Sequence, residues 1–164
     1  MRIIRRIIVA CSVCLFFLAL TQPCYCTSGC VNPVLVVLLG WLGMMVDLGS
    51  VVDWMAALLD HTSPALPAAV GASFTWLANP LLCLSWTLLK ANPKGAIGAS
   101  LMATALSMSF LLFDEVISDE AGNYSPITQY KLGYWLWVVS CLTMLTGSLL
   151  LTYTGKNRSQ ALLN

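Results

Sequence analysis

The chain has 164 residues, of which 59% are hydrophobic and only 9% are charged. Soluble domains average about 25% charged residues, so this composition predicts a protein embedded in a lipid bilayer. The net charge of +1 gives nucleic-acid binding no electrostatic basis. The sequence has no cysteine–histidine cluster with zinc-site spacing and no glycine-rich phosphate-binding loop, so we expect neither a metal nor another cofactor.

The first apolar stretch, Ile7 to Leu20, follows a basic start that contains three arginines. A basic segment followed by about 14 apolar residues is typical of a secretory signal. A membrane-spanning helix needs roughly 17–25 residues, which this stretch reaches only if the arginines extend toward the headgroups. Because no small-residue cleavage site is evident near Thr21 to Ser28, we favour an uncleaved anchor at 1–21. A cysteine-containing linker at 22–33 and a helical membrane bundle at 34–164 follow it.

The second apolar stretch, Val34 to Leu59, is long enough to cross a membrane, but Asp47 and Asp53 interrupt it. Its three glycines weaken it further as a straight helix. The stretch therefore has two interpretations. It crosses from Val34 to Val46 and continues along the interface, or it turns back as a re-entrant hairpin near Asp47 to Ser50. A hairpin at membrane depth is tolerated only where protein or water surrounds the turn.

Three further apolar stretches follow, at Ala68–Leu89, Ala96–Phe113 and Leu132–Tyr153. Asn79-Pro80 lies within the first of them, where proline removes a backbone hydrogen bond and predicts a kink. We expect the Asn79 side chain or a neighbouring helix to satisfy the carbonyl that proline leaves free. Tyrosines and tryptophans at the start of the last stretch indicate the level of the headgroups. Together the stretches predict an all-α, polytopic membrane helical bundle with four to five membrane segments.

Lysine and arginine are enriched on the cytoplasmic side of membrane proteins. The basic residues of this chain place the N-terminus, the third-to-fourth turn and the C-terminus there: Arg2, Arg5, Arg6, Lys90, Lys94, Lys156 and Arg158. An N-terminus and a Lys90 turn on the same side require an even number of crossings between them, whereas three apolar stretches intervene. We therefore predict four crossings with both termini in the cytoplasm. The second stretch then dips into the membrane or lies along its outer face.

Cys24, Cys26 and Cys30 follow the first stretch, on the non-cytoplasmic side of this topology, where disulfides persist. Three thiols allow one bridge, and thiols at i and i+2 rarely join without strain, so Cys24–Cys30 or Cys26–Cys30 is favoured. Four-helix membrane thiol oxidoreductases exchange disulfides between loop cysteine pairs, which requires a second pair. The long loop before the last helix has no cysteine, so redox catalysis is the weakest of the functional interpretations.

Asp47 and Asp53 stand within an apolar stretch, where a carboxylate is costly and is treated as a functional hypothesis. They could bind a cation or relay a proton, with the Asn79-Pro80 break lining a path, since broken helices are common at transport sites. Six residues apart on a helix, however, the two carboxylates point about 120° away from each other and form no paired site. The structural alternative places both near the membrane interface, in a helix end or a loop.

An acidic loop precedes the last helix, with carboxylates at Asp114, Glu115, Asp119 and Glu120. Such oxygen ligands suit a divalent cation, but the spacing is not that of an EF-hand, and carboxylates at i and i+4 repel each other. We therefore interpret the loop as a solvated outer segment. Tyr124 and the proline turn that follows it indicate more order than a bare linker has, so the loop is also a candidate docking site for a partner protein.

Several strings occur together in this chain: Gly40-Trp41-Leu42-Gly43, Trp76-Leu77-Ala78-Asn79-Pro80, Asp119-Glu120-Ala121-Gly122, Ile127-Thr128 and Gly133-Tyr134-Trp135-Leu136-Trp137. With these strings, the segment from Asn32 to Tyr153 resembles a group of small bacterial polytopic inner-membrane proteins that have no established activity. The resemblance implies residence in the bacterial cytoplasmic membrane and a helical bundle, and it implies no particular site.

These observations predict an integral membrane protein with a non-enzymatic, accessory role. Its partners are the lipid bilayer and other membrane proteins or further copies of itself. The first alternative is a small ion or solute transporter or channel that uses Asp47, Asp53 and the Asn79-Pro80 break. The second alternative is a membrane thiol–disulfide oxidoreductase.

Overall fold

The computed structural model describes residues 2–59, 70–117 and 123–161 of the chain. Within these ranges the chain forms five α-helices: α1 (Arg2–Ala19), α2 (Pro33–Leu59), α3 (Ala78–Ala91), α4 (Pro93–Ser109) and α5 (Leu132–Ala161). One 3₁₀-helix, Ala72–Leu77, precedes α3, and another, Phe110–Leu112, follows α4. The all-α class predicted from the apolar stretches is therefore confirmed.

Four short strands, which the hydropathy pattern does not predict, lie in the connecting segments of the described chain: β1 (Tyr25–Cys26), β2 (Glu115–Ile117), β3 (Tyr124–Pro126) and β4 (Gln129–Tyr130). β1 pairs antiparallel with β4, and β2 pairs antiparallel with β3. The β1–β4 pair joins the linker after α1 to the loop before α5. Two connections that are distant in sequence are therefore fastened to each other.

α1, α3, α4 and α5 pack into one bundle, in which α1 and α4 each pack against α5 and α3 packs against α4. The core of the bundle includes Phe16, Leu82, Leu89, Cys141 and Met144. The buried face of α4 consists of small residues: Ala96, Ala99, Ser100, Ala103, Thr104 and Ser107. Small side chains let helices approach closely in lipid, where packing rather than hydrophobicity drives association.

Buried hydroxyl groups link the helices inside the bundle. The Ser12 hydroxyl donates to the Ser140 carbonyl at 3.0 Å, and the Ser140 hydroxyl donates to the Ser12 carbonyl at 2.9 Å. Trp86 Nε1 donates to Ser12 Oγ at 2.9 Å. α1 is thereby joined to both α3 and α5 by hydrogen bonds that a lipid chain cannot replace.

The two ends of the bundle differ in charge. At one end, which we name the basic end, Arg5 Nη1 donates to the Lys90 carbonyl at 3.4 Å, and Lys94 follows in the first turn of α4. At the other end, which we name the strand end, the N–H of Gly133 donates to the Pro23 carbonyl at 3.0 Å. α1 and α4 therefore run from the basic end to the strand end, and α3 and α5 run back.

α2 is one continuous helix of 27 residues, so the hairpin considered near Asp47 is wrong. The physical reason is that the Asp47 carboxylate is satisfied by backbone amides of another segment and needs no turn in its own backbone. α2 packs mainly against the 3₁₀-helix Ala72–Leu77. Only 6% of its most apolar window is buried, which leaves most of the helix surface to its surroundings.

Four helical segments of the described chain are long and apolar enough to cross a membrane: Pro33–Leu59, Ala72–Ala91, Pro93–Leu112 and Leu132–Thr154. α1 is not one of them, since its 18 residues include three arginines. By length and composition, α2 is thus a candidate membrane span and α1 is not. By packing, α1 lies inside the bundle and α2 lies at its edge. Four apolar helices of this length are compatible with a membrane protein.

The kink predicted at Asn79-Pro80 is a change of helix type. The 3₁₀-helix ends at Leu77 and α3 begins at Ala78, so Pro80 lies in the first turn of α3, where its missing N–H costs little. Asn79 Nδ2 donates to the Trp76 carbonyl at 3.1 Å. The side chain thus satisfies the carbonyl that Pro80 leaves free, which is one of the two possibilities that the sequence leaves open.

Candidate functional site

A cavity of ≈ 680 Å³ lies between α2 and the strand end of the bundle, and we name it the α2 cavity. Its walls come from the end of α1, the first half of α2, the 3₁₀-helix before α3 and the start of α5. Side chains that line it include Phe16, Val36, Trp76, Phe110, Val116 and Trp137. Binding sites for small molecules are mostly apolar and measure about 300–1,000 Å³, so this cavity has the size and character of one.

Two polar side chains of the lining each keep one atom without a hydrogen-bond partner. Asn79 is only 8% exposed, and its Oδ1 is buried and unpaired. Trp137 Nε1 is also buried and unpaired. A buried donor or acceptor without a partner costs about 1–3 kcal/mol. Both side chains line the α2 cavity, but these two atoms have almost no accessible surface, so a ligand would pair with them only after a shift of the side chains.

Trp76 seats the first half of α2 on the bundle. Its Nε1 donates to the Val37 carbonyl at 2.9 Å, and its ring lies so close to Gly40 that a Cβ there would overlap it. Gly43 makes a similar approach, since a Cβ at that position would lie 2.7 Å from Ser73 Oγ. These glycines therefore allow the close contact between α2 and the 3₁₀-helix.

Asp47 fixes the middle of α2 and is fully buried. Its Oδ2 accepts the N–H groups of Gly71 and Ser73, each at 3.1 Å, and its Oδ1 accepts the hydroxyl of Tyr124 at 3.3 Å. Gly71 has a φ of 105°, a conformation that glycine adopts without strain. The carboxylate thus lies at the N-terminus of the 3₁₀-helix, where backbone N–H groups that have no partner within the helix stabilise negative charge.

The contact with Tyr124 extends the role of Asp47 to the β2–β3 pair. Burial raises the pKa of Tyr124, and the negative charge of Asp47 raises it further. The phenol therefore stays protonated at physiological pH, as it must in order to donate. Asp47 joins α2, the 3₁₀-helix and β3, which is a structural use of a carboxylate at the end of the bundle.

The residues considered for a transport path do not come together. Asp53 is exposed on α2, and Pro80 is exposed at the start of α3. Asp47 is held by the 3₁₀-helix, whereas Asn79 lines the α2 cavity. Trp137, the second unpaired residue of the lining, looks in the sequence like one member of an aromatic belt. No sequence signal separates it from its aromatic neighbours.

Cys26 and Cys30 form a disulfide, which is one of the two pairings that the sequence favours. Cys24 keeps a free, half-buried thiol that lies in the wall of the α2 cavity, with its Sγ 3.6 Å from the Val31 carbonyl. Burial raises the pKa of the Cys24 thiol, so the thiolate is disfavoured. Thiol–disulfide exchange proceeds through the thiolate, and Cys24 is therefore a poor attacking group for the neighbouring bridge.

The acidic loop is partly a hairpin and not a simple solvated segment. Asp114 and Glu115 are exposed at the strand end, and Glu115 opens β2. Tyr124 in β3 donates to a carboxylate of α2, which ties the hairpin to the rest of the protein. Asp119 and Glu120 lie outside the described residues. Among the residues that the structure describes, no group of three or more His, Cys, Asp or Glu side chains is arranged to hold a metal ion.

No protein-family model, curated protein or solved structure matches this chain. The resemblance to small bacterial inner-membrane proteins therefore remains an expectation drawn from short strings.

Proposed function

We propose that this chain is a non-enzymatic, multi-pass membrane protein that binds an apolar, chain-like molecule in the α2 cavity, as an accessory component of its membrane. The observation that carries the proposal is an apolar cavity of ≈ 680 Å³ whose lining includes only a few polar side chains, among them Asn79 and Trp137. A hydrocarbon chain passes from the bilayer to this cavity at little cost, because lipid tails and the lining are equally apolar. The shape of the cavity and the few polar side chains of its lining then select which molecule is retained.

Access from the bilayer is supported by the loose packing of α2. Only 6% of its most apolar window is buried, and its contacts are concentrated on the 3₁₀-helix. Large apolar side chains outside the cavity lining are also exposed on this helix, among them Leu38, Leu48, Val52 and Met55. A molecule dissolved in lipid would therefore meet the edge of the cavity without first crossing water.

The chemistry of the lining supports binding over catalysis. Its titratable side chains are one cysteine and two tyrosines: Cys24, Tyr25 and Tyr134. Burial raises the pKa values of Cys24 and Tyr25, so both stay protonated at neutral pH. General acid–base catalysis needs a group whose pKa lies near the working pH, and neither of these meets that requirement.

Photolabelling tests the binding proposal. The full chain in neutral detergent is irradiated with a long-chain alcohol that carries a diazirine, and the labelled peptides are identified by mass spectrometry. We expect label on the cavity lining, and a decrease of about fivefold or more in Val36→Trp, whose indole fills space in the cavity. Val52→Trp, on the exposed face of α2, is the matched control and should label normally. Uniform labelling of all exposed helices, or unchanged labelling in Val36→Trp, would refute the proposal.

We further propose that the membrane is a bacterial cytoplasmic membrane and that the basic end and both termini face the cytoplasm. The resemblance to bacterial inner-membrane proteins supports the first part. Arg5, Lys90 and Lys94 at one end, opposite the acidic loop at the other, support the second. The four crossings are then α1, α3, α4 and α5. α2 stays at the strand end, because its start and Asp47 both contact elements of that end.

Accessibility of introduced cysteines tests this orientation. A membrane-impermeant thiol reagent should leave Lys94→Cys unlabelled in intact cells and should label Lys131→Cys, which lies beside β4 at the strand end. Both variants are made on a background in which the exposed native cysteines are replaced by serine. The reverse pattern of labelling would place the basic end outside and contradict the proposed orientation.

A further inference from the structure

A second cavity, of ≈ 420 Å³, lies at the basic end between α1, the turn from α3 to α4 and α5. We name it the basic-end cavity, and the residues that line it include Arg5, Leu89, Asn92, Lys94, Leu151 and Thr152. None of its lining residues also lines the α2 cavity. A ligand bound in the α2 cavity therefore does not account for the basic-end cavity.

Arg5 contributes a partly unsatisfied guanidinium to this cavity. Its Nη1 donates to the Lys90 carbonyl at 3.4 Å, which holds the group over the end of α3. Its Nε is buried and has no hydrogen-bond partner. A buried, charged N–H without an acceptor is more costly than a neutral one, because it loses stronger interactions with water. Because Nε has almost no accessible surface, an anion in the cavity would pair with the terminal N–H groups of the guanidinium.

The start of α4 adds positive potential at the same place. α4 begins at Pro93, and the Asn92 side chain accepts the N–H of Gly95 at 3.0 Å. The first turn of a helix carries partial positive charge that favours anions. Lys94, exposed at the cavity wall, adds a full positive charge.

The acidic residues of the chain are separated in sequence from the segments that carry this charge. All seven Asp and Glu residues of the chain fall between positions 47 and 120. The segments that build the basic end, 2–12, 83–101 and 145–161, contain none of them. Two cationic side chains and a helix N-terminus thus line a cavity whose lining, among the residues that the structure describes, contains no carboxylate.

We infer that the basic-end cavity binds a phosphate group, held by Arg5 and Lys94 at the start of α4. Phosphate offers several acceptor oxygens, and guanidinium groups pair with it in charge-assisted hydrogen bonds. A phospholipid headgroup is one source of this group, because the exposed Ile3 and Ile4 flank Arg5 and provide an apolar surface for its chains. A water-soluble phosphate ester is the other source.

Native mass spectrometry of the full chain in neutral detergent tests this inference. Phosphatidylglycerol should be retained about tenfold more than phosphatidylcholine of the same acyl chains, because its net negative charge is not cancelled within the headgroup. Arg5→Gln and Lys94→Gln should each lower that retention about five- to tenfold. Arg6→Gln removes the same charge from an exposed position outside the cavity and should change retention by less than about twofold.

Competition with inorganic phosphate or glycerol phosphate identifies the source. Displacement of phosphatidylglycerol by either compound supports the phosphate site and assigns it to soluble esters, whereas resistance to displacement supports the site and assigns it to the intact lipid. Equal losses in Arg5→Gln and Arg6→Gln would overturn the inference, because diffuse surface charge would then explain the binding. Equal retention of the two lipids would also overturn it. Lys94 is exposed, so Lys94→Gln keeps the test decisive if Arg5→Gln does not fold.

Discussion

The four-helix bundle and α2 place their apolar side chains in different surroundings. The candidate crossing segments within the bundle bury 33–39% of their most apolar windows, whereas α2 buries 6%. α2 nevertheless has the highest mean hydropathy of the four segments, 2.1. Hydropathy therefore measures the affinity of a segment for lipid, and it does not report how far that segment packs inside a protein.

The attachments of the two regions differ as well. Bundle helices share extended packing surfaces with small residues and hydroxyl pairs between them. α2 is held at a few directed contacts: Trp76 Nε1 to the Val37 carbonyl, and the Asp47 carboxylate to two backbone amides and Tyr124. We therefore expect a disruptive substitution in the bundle to destabilise the whole protein, and one at the α2 contacts to increase only local unfolding.

The largest effect should come from Gly133→Ala, which places a methyl group at the contact between α1 and α5. A Cβ there would lie 2.7 Å from the Pro23 carbonyl oxygen and 3.0 Å from that of Ala19, and backbone atoms cannot rotate aside. We expect a loss of about 2–3 kcal/mol, measured as a lower thermal unfolding midpoint in detergent. Gly49→Ala on α2 has open space around it and should be neutral or stabilising by up to about 1 kcal/mol. Equal midpoints for the two variants would contradict the contrast between the regions.

A smaller and more local effect is expected from Asp47→Ala. This change leaves the N–H groups of Gly71 and Ser73 without their acceptor, at a cost of about 1–3 kcal/mol. Hydrogen exchange followed by mass spectrometry should show faster exchange in α2 and the 3₁₀-helix, and unchanged exchange in α1 and α5. Asp53→Ala, an exposed carboxylate on the same helix, should change neither region. Loss of protection across the whole bundle would show that α2 is not a separable unit.

The smallest effect concerns the reactivity of Cys24. Because burial raises the pKa of its thiol, little thiolate forms at pH 7, and alkylation by iodoacetamide should be slow. The rate should rise as pH increases through the raised pKa, which is also the range in which the folded state loses stability relative to the unfolded chain. Urea-unfolded protein, with the ordinary thiol pKa, is the control and should react faster at pH 8. Fast alkylation of the folded protein at pH 7 would restore the thiol oxidoreductase alternative.

Much of the helical architecture could be predicted because the membrane imposes long, continuous apolar segments. The stretches that start at Ile7, Val34, Ala96 and Leu132 each lie within or close to a helix of the structure. The secondary structure of the stretch from Ala68 to Leu89 is harder to predict. Its first described turn is a 3₁₀-helix, and Asp47 of α2 accepts an N–H group at the N-terminus of that helix. Strands of two or three residues carry too little alternation to be recognised in a sequence.

The candidate site could be predicted only in part. The bond from Asn79 to the carbonyl freed by Pro80 follows from local chemistry and is one of the two possibilities that the sequence offers. The α2 cavity depends on how Gly40 meets Trp76, 36 residues further along the chain, and on how Gly43 meets Ser73, 30 residues further along. Contacts at that separation are set by tertiary packing, so neither hydropathy nor local propensity indicates them. The role of Asp47 as a cap was missed for the same reason.

The Ser12–Ser140 pair has a consequence for how the chain assembles. An apolar helix can rotate about its own axis in lipid with little change in free energy, because its apolar faces interact with lipid tails in similar ways. Two hydroxyls that each reach the opposite backbone, with Trp86 joining from a third helix, are satisfied at a single angle of that rotation. These serines therefore fix the rotation of α1 about its own axis. That rotation in turn sets the direction in which Arg5 and Phe16 point.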